Sequence, residues 1–383
     1  MTQPVHEPDK DPRPAAKAYR GEVVHIYAFD IAHEMVRQPV TRLLGQPVTQ
    51  FAVGVTKHSP RQFFFFRPEM VRLPEMQRVG PGGPVSIKRT VKVFPVGAIS
   101  IAVHIPFEVD RIEDLAVYHE LRFGDRLLVD SVRQLAEDVR RDLEPYCRLP
   151  VAKLSEPEAY TVFCFSYPLP GEGADAHNAQ AWLARNRRPL AGLLTEEEDF
   201  SLLSEQELEE STTLHLSYHE HDLSVIDWNA ALIVDDVENF DEMLHVMELA
   251  NVQLAELETY DRILDGTLER SYRDLSGGRL RVRFGVLGNL REIRVDLARL
   301  ADELSNITKF FGDWHLARVY QHLSTRFHLA DWHRTISQKL RTLDELYQIL
   351  KQDKNNLWML ILEASVVVLF VLDLVALVLS LKH

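Results

Sequence analysis

The chain has 383 residues, 46% of them hydrophobic, two cysteines and a formal net charge of −14, from 57 Asp plus Glu against 43 Lys plus Arg. Such length and apolar content exclude a disordered chain or a minimal scaffold and leave room for two or three units. The acid excess opposes phosphate backbones, which disfavours direct nucleic-acid binding over a broad face, and Cys147 with Cys164 cannot make a disulfide framework or a four-thiolate zinc site.

Residues 1 to 20 mix prolines with charge and have almost no apolar periodicity, which predicts a mobile tail. No basic-then-apolar leader is visible in it, so a reducing, cytosol-like compartment is expected. VVHIYAFDI, QFFFFR, VSIKRTVKVF, GAISIAVHIPF and YTVFCFSY are rich in β-branched and aromatic residues and bounded by Pro or Gly; they predict strands of one mixed sheet. Between the last two, Leu128, Val132, Leu135 and Val139 recur at helical spacing, so a helix should cover one face. Residues 178 to 210 read as helical, and their acidic runs suggest an exposed connection; Arg185, Arg187 and Arg188 read as a solvated helix end. TTLHLSYHEHDLSVIDWNAALIVDD predicts a hairpin turning near His221 and Asp222.

From about Asn239 the pattern changes to long amphipathic helices: Met243, Leu244, Met247, Leu254, Leu257 and Ile263 form one stripe, and Ile336, Leu340, Leu343, Leu346 and Leu350 another. These stripes suit antiparallel, coiled-coil-like packing or self-association. Leu357 to Leu381 holds no Pro, Lys or Arg. As one helix it would extend roughly 37 Å at about 1.5 Å per residue, enough for a hydrocarbon core of roughly 30 Å. Its Leu, Ile, Val and Phe residues contribute about −5 to −10 kcal/mol on insertion, against at most roughly +7 for Glu363 and Asp373. Lys351 and Lys354 precede the span and only Lys382 follows it, which places the N-terminal part in the cytoplasm.

The expected architecture is therefore α+β. It comprises a tail (1–20), a soluble α/β domain of mixed sheet with covering helices (21–238), antiparallel long helices (239–356) and a single transmembrane helix (357–381).

Three stretches of the C-terminal third stand in a particular order: FFGDWHLARVY (Phe310 to Tyr320), RFHLADWHRTISQKLRTLDELY (Arg326 to Tyr347) and LEASVVVLFVLD (Leu362 to Asp373). In order and spacing this region, about 220 to 381, resembles the domain of unknown function 155 family, whose eukaryotic members are called required-for-meiotic-nuclear-division proteins. Asp313, Trp314, Tyr320, Arg326, Leu343 and Leu346 occupy its motif positions, and the separation of Glu363 from Asp373 matches that of the family's two acids. Ala364 stands where the family has Trp, and Asp313 precedes Trp314 rather than following it. The resemblance implies a membrane-anchored protein with a soluble α/β part and brings no catalytic activity. A mitochondrial member is linked to translation by anchoring ribosomes at the inner membrane. The analogous place for this chain is a bacterial inner membrane, with the soluble part in the cytoplasm.

Chemistry-bearing motifs are sparse. GPGG at 80 to 83 and GVLG at 285 to 288 lack the Lys-Ser/Thr of a phosphate loop and read as turns. Cys164 reads as a small core residue. Asp227, Trp228 and Asn229 interrupt a strand and suggest a buried polar network or a pocket wall. His215, His219, His221 and Asp222 form the best metal-like cluster, weighed against a polar hairpin edge. His315, His322, His328 and His333 are scattered over late helices. The sequence thus predicts a non-enzymatic, single-pass scaffold or tether without cofactor, its partners being membrane lipid, a protein and a second copy of itself. The alternative is a metal-dependent hydrolase built on the histidine cluster.

Overall fold

The computed structural model describes residues 18–36, 38–51, 68–171, 178–197, 199–276, 295 and 314–380, without the side chains of 274–276, 347, 349–357 and 373–380. The expected strand QFFFFR, the turn GVLG, the helical stretch 289–311 apart from Val295, Asp313 and the side chain of Asp373 lie outside the described residues.

The strands are β1 (Tyr19–Asp30), β2 (Ala32–Met35), β3 (Arg42–Leu43), β4 (Gln46–Pro47), β5 (Thr49–Gln50), β6 (Glu69–Gly80), β7 (Gly83–Val93), β8 (Ala98–Val109), β9 (Arg122–Phe123), β10 (Arg126–Leu127), β11 (Cys147–Pro150), β12 (Glu158–Ser166), β13 (His215–Leu216), β14 (Leu223–Ile226) and β15 (Ala230–Asp235). Nine of them form one sheet in the order β13-β14-β15-β12-β1-β8-β7-β6-β5. Only β12 and β15 pair in parallel, so the sheet is mixed, as its turn-bounded strands suggested. The sequence reading missed β6, and Pro74 explains why. Between Leu73 and Met76 the register shifts, two residues standing opposite one, so the apolar alternation breaks mid-strand.

One face of the sheet carries Val23, Tyr27, Phe29, Ile101, Val103 and Phe163, which share a core with α1 (Leu128–Leu143), α2 (Ala179–Arg185) and α3 (Arg187–Thr195). Leu128, Val132, Ala136, Val139 and Leu143 form the buried stripe of α1, close to the predicted one. The 178–210 region differs from expectation. Leu190 to Leu194 are wholly or nearly solvent-free and α3 packs on β15, so only the ends of this region and α4 (Glu205–Thr213) meet water with their acids. Arg188 donates to the Leu203 carbonyl at 2.8 Å and to Glu205 at 2.6 Å, so it ties the start of α3 to the start of α4. At the β7–β8 turn Gly97 has φ +91 and its carbonyl accepts the amides of Ile31 and Ala32; a Cβ there would lie 2.0 Å from the Ala32 oxygen, so only glycine fits.

Residues pointing the other way, including Val24, Ile26, Ala102, Val162, Cys164 and Ile233, are equally buried. The first half of α5 (Phe240–Ser276) covers them: Asn251 donates to the Glu158 carbonyl on β12 at 2.9 Å. A helix that touches solvent would show a polar face, yet Met243 to Glu256 are all buried, so five polar side chains, His245, Glu248, Asn251, Gln253 and Glu256, are carried inside. Two further helices follow, α6 (Trp314–Arg326) and α7 (Leu329–Ser380), separated at Phe327 and His328, the latter with φ 49.

The chain divides into two compact units. The first comprises residues 1–256 and 305–330, the second 257–304 and 331–383. Within the second, Ile336, Leu340 and Leu343 on α7 and Leu264 on α5 are buried, and Lys339 bonds Asp261 at 2.7 Å and Asp265 at 2.6 Å, one helical turn apart.

Candidate functional site

Two buried ionic centres organise the first unit. In one, Asp227 sits in the turn between β14 and β15. Its Oδ1 accepts the Trp228 amide at 2.8 Å and the Arg326 Nε at 2.7 Å, while its carbonyl accepts the Tyr160 hydroxyl at 3.0 Å. Arg326, the last residue of α6, also bonds the Glu210 carboxylate at 3.0 Å and the Glu210 carbonyl at 3.2 Å. One guanidinium therefore ties α6 to the C-terminal turn of α4 and to the sheet. Burial raises the Asp227 pKa more than Arg326 lowers it. Of the stretch Asp227 to Asn229, Asp227 alone enters a buried polar network, while Trp228 and Asn229 are exposed.

The second centre was invisible in the sequence. Lys92 on β7 points into the α5-covered face, where its ammonium meets Glu248, with side chains 6% and 2% exposed. The Phe51 ring lies 4.0 Å from the Lys92 Nζ and 4.6 Å from the His245 ring. The His245 Nδ1 is 3.9 Å from the Glu248 carboxylate, beyond hydrogen-bond reach. Burial, with Lys92 adding, lowers the His245 pKa to about 4. Burial alone would raise that of Glu248, but Lys92 and His245 together hold it below the usual carboxylate range. Ser100, the cross-strand partner of Lys92, keeps its hydroxyl buried with no hydrogen-bond partner among the described residues. Chemically this is a sealed ion pair, closed to substrate.

The histidine cluster takes another form than a metal centre. Asp222 accepts the amides of Tyr218 at 2.6 Å and His219 at 2.8 Å, which closes the β13–β14 turn. His219 and His221 stack with centroids 5.3 Å apart, and His215 bonds the Thr212 carbonyl through Nδ1 at 3.0 Å. Among the described residues no group of three or more His, Cys, Asp or Glu is placed to hold a metal ion. His315 packs on Tyr218 and His328 on Trp228 in the same aromatic manner.

The remaining motif positions divide. Tyr320 is buried and donates to the Gln253 side chain, Arg326 is the hub above, Leu343 is fully buried and Leu346 half-buried, whereas Trp314 is 77% exposed. Cys164 is buried and Cys147 half-buried, both as free thiols. Glu363 lies in an exposed stretch of α7. From Trp358 to Leu372 every side chain is exposed, and the large apolar ones are 54 to 73% so, on all sides of the helix. Among the described residues, no helix is long and apolar enough to cross a membrane. Of the expected span 357–381, only the side chains of Trp358–Leu372 are described.

Residues 20–241 match the family described as "Uncharacterized protein MJ0711, N-terminal domain". The uncharacterized protein MJ0711 of Methanocaldococcus jannaschii is 23% identical over 227 residues, 57% of this chain and 65% of that relative. The chain thus spans less than two thirds of the relative's length. No solved structure matches it.

Proposed function

We infer that this chain, which belongs to the family described as uncharacterized protein MJ0711, N-terminal domain, is a membrane-anchored tether whose α/β unit engages a protein partner. The observation that carries this is the exposed apolar stretch of α7. A helix apolar all round is stable inside a large core or inside lipid, and among the described residues Trp358 to Leu372 have no core around them. Fifteen residues reach about 22 Å, and beyond Asp373 the sequence runs apolar again to Leu381, so the whole segment matches a bilayer core in length. Lys351 and Lys354 on its near side favour a cytoplasmic α/β unit, and Trp358 sits where an interfacial aromatic would anchor. The resemblance to the domain of unknown function 155 family supports the same picture. A binding role fits the α/β unit because its two buried ionic centres, Asp227–Arg326 and Lys92–Glu248, join its own elements to one another.

Membrane fractionation tests it. The full chain should remain in salt-washed membranes, while a chain ending at Lys354 should move to the soluble fraction with an unchanged far-ultraviolet spectrum. A shortened chain that stays membrane-bound, or a full chain that is freely soluble, defeats the anchoring role.

A further inference from the structure

On the α1 side of the sheet, towards its β6 edge, a cavity of about 550 Å³ opens to solvent, within the range of small-molecule sites. Its floor is apolar, with Ile87, Val103, Phe123 and Leu135 among the lining residues, and three arginines, Arg78, Arg89 and Arg126, complete it. Among the described residues no acidic side chain lines it.

The arginines converge because of a specific backbone feature. Arg89 pairs across the sheet with Leu73 and Val103, so it faces α1 like them. Without the bulge at Pro74, the alternation of β6 would turn Arg78 to the opposite face. The bulge moves the register, so Met76 pairs with Ile87 and Arg78 with Val85, bringing Arg78 to the Arg89 side. Arg126 arrives from the β9–β10 hairpin, directly opposite Phe123.

Among the described residues none of the three arginines pairs with a carboxylate, in a chain with net charge −14 and many surface acids. Arg89 spends one donor on the Pro74 carbonyl at 3.2 Å, and its Nε is buried without a hydrogen-bond partner. Burial and the neighbouring charge of Arg78 both lower the Arg89 pKa, the direction expected where like charges are held together. Folding gains nothing from such a grouping, whereas an anion would satisfy it.

We propose that this cavity binds a small organic phosphate, the dianion held by Arg78, Arg89 and Arg126 and the apolar body lying on Phe123, Val103 and Leu135. A phosphate suits three guanidiniums better than a carboxylate does, because its three oxygens carry more charge and accept from several forks at once. The apolar floor selects an ester with a hydrocarbon body over the free ion.

The test is a fluorescence titration of the full chain in detergent with naphthyl phosphate, with inorganic phosphate as competitor and protein-free detergent as baseline. Saturable binding is expected, weakened at least roughly tenfold in R78Q/R126Q, whose side chains are exposed and whose loss should not disturb folding. Leu135→Trp, which fills the floor, should abolish naphthyl phosphate binding. Inorganic phosphate should displace the ester only at much higher concentration. Absence of saturable binding, equal affinity in R78Q/R126Q, or inorganic phosphate competing as well as the ester overturns the proposal.

Discussion

The Arg326 Nε lies 2.7 Å from the Asp227 Oδ1, joining two residues far apart in sequence with side chains only 17% and 8% exposed. Removing the guanidinium leaves a buried carboxylate whose remaining hydrogen bond among the described residues is that from the Trp228 amide. Arg326→Ala is therefore expected to cost about 2–4 kcal/mol in denaturant unfolding. Arg326→Lys keeps the charge but loses the fork to Glu210, and should recover about half of that. Asp227→Asn should cost less than Arg326→Ala, because an amide oxygen still accepts from Trp228.

The Lys92–Glu248 pair makes a sharper case, since both partners are sealed. Breaking it from one side, by Lys92→Met, should destabilise by about 3–5 kcal/mol, because Glu248 is left charged in an apolar interior or must take up a proton. Replacing both, as Lys92→Met with Glu248→Gln, should restore much of the loss, since two neutral groups of similar volume tolerate burial. A double-mutant cycle on unfolding midpoints measures the coupling, and additive losses would mean that the two charges do not act as a pair.

His25 and His245 set the acid limit of the fold. His25 is buried beside Thr161, and burial first, then the nearby His119, lowers its pKa to about 4. His245 is lowered to about the same value, facing Lys92 and Glu248. In the unfolded chain both titrate near 6.5, so between pH 6.5 and 4 the unfolded state binds more protons. The stability linked to these groups is complete above pH 6.5 and is lost as pH falls towards 4, by about 3 kcal/mol for each histidine. Glu248, with its pKa also lowered, adds to the loss below its unfolded value. Unfolding midpoints measured from pH 7 to pH 4.5 should fall steadily. His25→Leu should flatten that slope by about half, and an unaltered slope would place the acid sensitivity elsewhere.

How much of this was legible follows from which surfaces are covered. A strand with one wet face announces itself by alternation, and β1, β8 and β12 were found because their apolar runs are strong enough for two dry faces. Lys92 was not found because Lys88, Thr90 and Lys92 read as the solvent side of β7. Lys88 is indeed exposed, but α5 closes over Lys92, and no local pattern reports a helix that begins 148 residues later. Arg326 and Asp227 were each singled out, one from a family pattern and one from a broken strand, yet their meeting depends on the path of α6. His219 and His221 looked like ligands on one strand face, whereas the carboxylate beside them was already engaged by the turn's own amides.

The exposed stretch of α7 allows a test that separates lipid from a protein groove. Leu369, Phe370 and Val371 are successive residues, about 100° apart around the helix, so together they sample different faces at nearly one depth. Lipid surrounds a span on every side. Lysine at any of the three should then weaken insertion alike, by about 2.5–3.5 kcal/mol, and each variant should be released from membranes more readily by carbonate. A protein groove contacts one face, so a single position would lose binding while the other two kept it. Replacing Glu363 and Asp373 by Leu adds the converse: insertion should strengthen, and if their carboxyl groups join copies of the helix, the oligomer expected in detergent should dissociate. Equal losses at residues 369, 370 and 371, with a smaller oligomer in Glu363→Leu/Asp373→Leu, would establish α7 as both the anchor and the self-association surface.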